Sequence, residues 1–225
     1  MTELVGGQRA IAYSSATGQY IDQSTKRFIP RTEVMRFVDG EVARTRASLQ
    51  GHTRLMAAQK ITLAEWEVRM AQSLKDSHIR LAALGSGGVQ NLNAKKYGAV
   101  GYQLRKQYEY LDGFARDLKA GKLTPGQALT RAGMYADSAV VSFHRAEQIT
   151  KQEEKFQEAK RSLHPAARHC SSCLAYSTKG KWLPIDQVVM PGVNCECGQH
   201  CRCSVQYRYR RIDPKVLNKG TLEAA

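Results

Sequence analysis

The sequence predicts a mainly α protein: an antiparallel bundle of long helices followed by a small C-terminal β/loop module. Three observations carry this. Apolar residues recur at three- and four-residue intervals through most of the stretch from residue 31 to 149. Helix start and stop signals punctuate the same stretch. All six cysteines then fall between Cys170 and Cys203, after 169 residues that contain none.

Residues 1–30 read as an N-terminal arm or short hairpin, with Ala16-Thr17-Gly18-Gln19 as the turn between Ile11-Ala12-Tyr13 and Tyr20-Ile21. A helical domain is predicted over 31–162. Its first helix runs from about Arg31 to Gln59 on Val34, Phe37, Val38, Val42, Leu49 and Met56. Thr62-Leu63-Ala64-Glu65 has the form of a capping box and predicts a helix start, with Leu63, Trp66, Met70, Leu74 and Leu81 on its inner stripe. The glycine run 85–88 ends that helix. Asn93 caps the next, whose stripe of Tyr97, Val100, Leu104, Tyr108, Leu111, Ala115 and Leu118 stops at Gly121. Thr124-Pro125 opens a last segment with proline at the permissive first position and an inner face reaching Ile149. The charged run from Lys151 to Arg161 reads as the solvated end of that helix, a stalk toward the cysteines. Residues 163–212 form the cysteine-rich module and 213–225 a tail.

The cysteines read Cys170-x-x-Cys173, a 21-residue interval, then Cys195-Glu196-Cys197-Gly198-Gln199-His200-Cys201-Arg202-Cys203. Two short pairs brought together across a longer loop are how proteins supply four soft ligands to a tetrahedral Zn²⁺ ion. The competing pattern, a disulfide framework, belongs to secreted chains, and Met1–Gly7 does not read as a secretory leader. All six cysteines are candidate ligands. The favoured set is Cys170, Cys173, Cys197 and either Cys201 or Cys203, with Cys195 competing, because a Cys-x-Cys pair gives both sulfurs to one ion only through a strained ring. A two-ion, six-thiolate cluster is the other arrangement six cysteines permit. His164, His169 and His200 are close enough in sequence to substitute or to support the site.

With 34 Lys and Arg against 20 Asp and Glu, the formal charge is +14. Residues 160–225 carry eleven basic and four acidic side chains, half of the excess. Such a balance attracts polyanions or acidic protein surfaces, and also offsets the −2 of a four-thiolate zinc centre. Arg202, Arg208, Arg210 and Arg211 are the candidate contacts; in Tyr207-Arg208-Tyr209-Arg210-Arg211 bases could stack on tyrosines while arginines meet phosphates. The alternative for that strip is an edge strand with one buried and one charged face. No apolar run approaches the length of a membrane span. The sequence has no nucleophile elbow, no phosphate-binding glycine-lysine loop and no His-Glu-x-x-His. The expected protein is therefore not an enzyme and takes no small-molecule substrate.

His164-Pro165, Cys170-Ser171-Ser172-Cys173-Leu174, Gly180-Lys181-Trp182 and the run from Pro191 to Cys203 together resemble the C-terminal module of phage minor head proteins, the head morphogenesis family related to phage Mu protein F. The resemblance spans about 45 residues and rests on the Cys-x-x-Cys followed by the terminal Cys-Arg-Cys. Many relatives place His-Pro shortly before Cys-Arg-Cys. Here Cys197-Gly198-Gln199-His200 stands there, and Cys197 most simply replaces the histidine. The resemblance implies a virion component made in the bacterial host cytoplasm, acting at or near the portal vertex during head assembly. Its implied partners are portal or capsid proteins and, on a second reading, packaged DNA, which would make the chain a nucleic-acid-binding zinc protein.

Overall fold

The computed structural model describes residues 11–210. It is mainly helical, with two small antiparallel sheets. A hairpin of β1 (Ile11–Ser14) and β2 (Gln19–Asp22) comes first, turning through Gly18 at φ 63°. The long helices follow: α1 (Arg31–Ala57), α2 (Leu63–Gly85) and α3 (Ala94–Lys119). The capping box of Thr62 and Glu65 is formed, and Asn93 accepts from the Lys96 amide at the start of α3. Each leaves fewer orphan N–H groups at a helix start.

α1 and α2 are antiparallel. Thr53 meets Trp66, Ser48 meets Ser73, Thr45 meets Ser77 and Glu41 meets Arg80 along the seam. α3 returns along α2, where Trp66 packs edge-on to Phe114 with ring centroids 5.0 Å apart. The single segment expected from Thr124 to Ile149 is instead broken. α4 (Pro125–Met134) ends in a 3-10 stretch, Tyr135–Ala139, before α5 (Val140–Glu153). Within that stretch Ser138 donates to the Tyr135 carbonyl, the local side-chain bonding that competes with regular helix. α5 lies beside α2 in the same direction. Gly85 permits this closeness, because a methyl there would collide with the Phe143 carbonyl.

The charged stalk is the clearest correction. α5 stops at Glu153, Lys155 turns with φ 66°, and β3 (Glu158–Ser162) begins. β3 is the middle strand of a sheet in the order β4 (Leu183–Pro184), β3, β5 (Ser204–Arg208), both pairings antiparallel. Its sequence Glu-Ala-Lys-Arg-Ser alternates, and Ala159 and Arg161 are the buried pair. The alternation has period 2, but charged side chains on both faces hide it inside a helical charge pattern. The sheet thus takes its central strand from residues before 163. Between β3 and β4 lies the short α6 (Ser171–Tyr176). A separate apolar cluster of Val141, Ala159, Ile185, Val188, Met190, Val193 and Val205 ties the sheet to α5. Among the described residues no helix is long and apolar enough to cross a membrane.

Candidate metal centre

α6 carries Cys173 on its first turn, and its N-cap is Cys170, whose sulfur accepts from the Cys173 amide at 3.4 Å. Facing it, Cys195, Cys197 and Cys201 arrive on the loop before β5. Asn194 and Gly198 take left-handed backbone, with φ 55° and 48°, and the Gly198 amide closes a turn on the Cys195 carbonyl at 2.8 Å. Glu196 locks this loop to α6: it accepts from both Ser171 and Ser172, whose hydroxyl in turn accepts from the Glu196 amide.

The result is a cage of four sulfurs, those of Cys173, Cys195, Cys197 and Cys201, all within 4.8 Å of one another. Cys173 lies 3.4 Å from Cys197 and 3.5 Å from Cys201, and Cys195 lies 3.6 Å from Cys197. A disulfide would bring two of them to about 2.0 Å, and all six cysteines are free. A tetrahedron with metal–sulfur bonds of about 2.3 Å has edges of about 3.8 Å. The four sulfurs stand near that spacing, so the cage could hold a metal ion.

Of the six candidate ligands, the structure brings four together. Cys170 stands beside the cage as a helix cap, and Cys203 is buried next to it, but neither belongs to the group of four. Cys195 and Cys197 both do. The tight turn at 195–198 removes the objection to a Cys-x-Cys pair, because it brings both sulfurs inward. The histidines stay out: the His169 ring pairs with the His164 carbonyl, His164 Nδ1 accepts from the Ala166 amide, and His200 Nδ1 is 3.7 Å from Asp137.

Burial pushes the thiols of Cys173, Cys197 and Cys203 up, reinforced at Cys173 by neighbouring sulfurs. At Cys201 burial acts upward too, but the amides of Cys203 and Gly192, the Cys173 sulfur and the Arg161 charge bring it down to about 7. Cys170 is likewise drawn to about 7, the amides of Cys173 and Cys197 outweighing desolvation.

Arg161 is the functional residue missed by the sequence reading. Its guanidinium is completely buried and donates through Nη1 to the Val189 carbonyl at 2.8 Å, and through Nη2 to Cys173 and Cys201, each at 3.4 Å. Desolvation lowers its pKa, but the hydrogen bond and charge of Cys203, and the charge of Cys201, win and raise it. The only sequence signal was the alternation of residues 158–162.

The other arginines singled out from the sequence are dispersed. Arg202 is exposed. Arg208 pairs with Glu158 at 2.6 Å and lies 4.4 Å over the Trp182 ring. Arg210 stands 3.8 Å from the same carboxylate. Arg211 lies outside the described residues. Tyr209 stacks on Phe156 with centroids 4.2 Å apart, and Tyr207 donates to Met190. Comparison with known proteins gives no match to any family model, curated protein or solved structure.

Proposed function

We propose that this chain is a structural, non-enzymatic minor head protein of a phage, acting at or near the portal vertex during assembly, with its cysteine module serving as a zinc-stabilised docking head. The observation that carries the reading is the closed four-sulfur cage, set in a sequence whose Cys170-x-x-Cys173 and Cys201-Arg202-Cys203 resemble that family's module. Four protein ligands with no open position are the form of structural zinc sites, whereas catalytic ones keep a position for water or substrate. Zn²⁺ suits the donors, since a thiolate set at these spacings matches its coordination. Cys173, Cys195, Cys197 and Cys201 would hold it, and it would supply a cross-link between α6 and the loop before β5.

The nucleic-acid reading draws on the net charge and exposed Arg202. It is weakened at the strip 207–210, where Arg208 is spent on Glu158 and Trp182, and Tyr209 on Phe156. Elemental analysis of the purified chain is expected to give one zinc per molecule. Mass spectrometry and cryo-EM of purified particles should then place the chain at a vertex. A folded, metal-free, reduced protein overturns the zinc reading, and absence from particles overturns the assembly reading.

A further inference from the structure

Resting on the reading that the four sulfurs hold a metal ion, we propose that Arg161 is the positioning residue of this cage, holding the Cys173–Cys201 edge and supplying the centre's counter-charge. The argument starts with its cost. A guanidinium with no exposed surface needs a counter-charge, and among the described residues the hydrogen-bond partners of Arg161 are a carbonyl and two sulfurs, with no carboxylate. Its Nε is buried without a partner, and the Tyr176 ring at 5.6 Å offers only a weak cation–π contact. What faces it are ligand sulfurs. Conversely, four thiolates around a divalent ion carry a formal −2 in a partly buried site, and no other cation bonds to the four sulfurs among the described residues. Each charge is the other's partner.

The geometry goes further than charge. One nitrogen, Nη2, reaches both Cys173 and Cys201, which come from α6 and from the segment before β5, while Nη1 is anchored on Val189. The guanidinium plane is therefore fixed, and it spans two chain segments that no backbone pairing joins directly. β3 sets the side chain's direction, since Arg161 pairs across the sheet with Val205 and shares the inward face with Ala159. Groups that orient metal ligands in this way typically change metal affinity by about 10- to 100-fold when removed.

The test compares the wild type with Arg161→Met and Arg161→Lys. Metal content of the wild type is measured first: a folded wild type without metal overturns the cage itself, and this proposal with it. Co²⁺ affinity is then measured against a competing chelator, with the sulfur-to-cobalt charge-transfer band recorded. Arg161→Met is expected to bind about 10- to 100-fold more weakly and to shift the band to longer wavelength, because sulfurs freed of N–H donors hold their electrons less tightly. Arg161→Lys, which keeps the charge and loses the fork, is expected to fall between. Wild-type affinity and band position in Arg161→Met overturn the proposal while leaving the cage intact. Should Arg161→Met not fold, Arg161→Lys decides: a loss of about threefold or more with a shifted band supports the role, and wild-type behaviour overturns it.

Discussion

Cys173→Ser and Cys170→Ser, one in the first turn of α6 and the other at its N-cap, are expected to behave in opposite ways. Cys173 belongs to the group of four, with sulfurs at 3.4 and 3.5 Å and Arg161 beside it. Its loss leaves a three-sulfur site and an unfilled coordination position at a buried residue. Structural zinc contributes about 10–16 kcal/mol to the folding of small modules, as much as the whole stability of an ordinary domain, about 5–15 kcal/mol. Residues from about 158 to 210 should then lose their order. The helical signal should hardly change, because the only α-helix there is six residues long against 27 in α1 alone. Cys170 instead caps α6 with its sulfur, and serine is among the best residues for that position; its replacement should keep the metal. The assay is metal content and far-UV circular dichroism for both variants, with hydrogen exchange resolved along the chain. Equal metal loss in the two would place Cys170 in the cage. Collapse of the helical signal in Cys173→Ser would show one cooperative unit, joined through Val141.

Gly85→Ala should destabilise the helical core by about 1–3 kcal/mol, as overpacking does, because the new methyl meets backbone of α5; an unchanged urea midpoint would show that α2 and α5 separate freely. Burial holds the pKa of His78 down at about 4 and, helped by Arg31 and Arg161, that of His144 at about 3. The unfolded chain takes up these protons near 6.5, so the stability is present above that pH and falls by about 2 kcal/mol per histidine on going to pH 5. His78→Gln should flatten the dependence of the urea midpoint on pH, and a midpoint that does not move between pH 7 and 5 would refute the argument. Neutralising Arg208, Arg210 and Arg211 together should leave DNA affinity and its salt dependence near the parent's while reducing incorporation into heads; a salt slope lower by about three units with normal incorporation would instead favour DNA contact.

Three helix starts were legible because they rest on local chemistry: the capping box at Thr62, the Asn93 cap and the proline after Thr124 are all in place, whereas α5 follows Ala139 with no side-chain cap and was not foreseen. The cysteine spacing likewise pointed to sulfurs converging from both ends of the 21-residue interval, although the first pair brings only Cys173 into the group of four. The members of the cage were not legible, since they depend on the turn at Cys195–Gly198, and that turn needs left-handed backbone at Asn194, a residue whose type only permits it. The strand at 158–162 was hidden for a different reason. Five residues of alternation carry little signal beside a long charged helix, and what makes it a strand is pairing with residues 204–208, more than forty positions away.

The docking role proposed for the cysteine module requires that it point in a fixed direction, and several contacts hold it against the bundle. β3 follows α5 after a short turn, and Val141 of α5 lies in the apolar cluster beneath the sheet. Across the junction Lys151 donates to the Tyr13 hydroxyl, the Gly18 carbonyl and Glu154, while Tyr13 donates to Glu154 at 2.8 Å. The N-terminal hairpin is therefore fastened to the end of α5, where the chain leaves for the sheet. Phe156 and Tyr209 stack against each other at that same point, and the Lys151 ammonium lies 5.0 Å from the Phe156 ring. The hairpin and the aromatic pair brace the turn that joins bundle to sheet, while Arg161 and the metal would brace the far side. Metal removal should consequently disorder the cage and the loops around it first, with the junction at Lys151 the last part of the sheet region to exchange its amide protons.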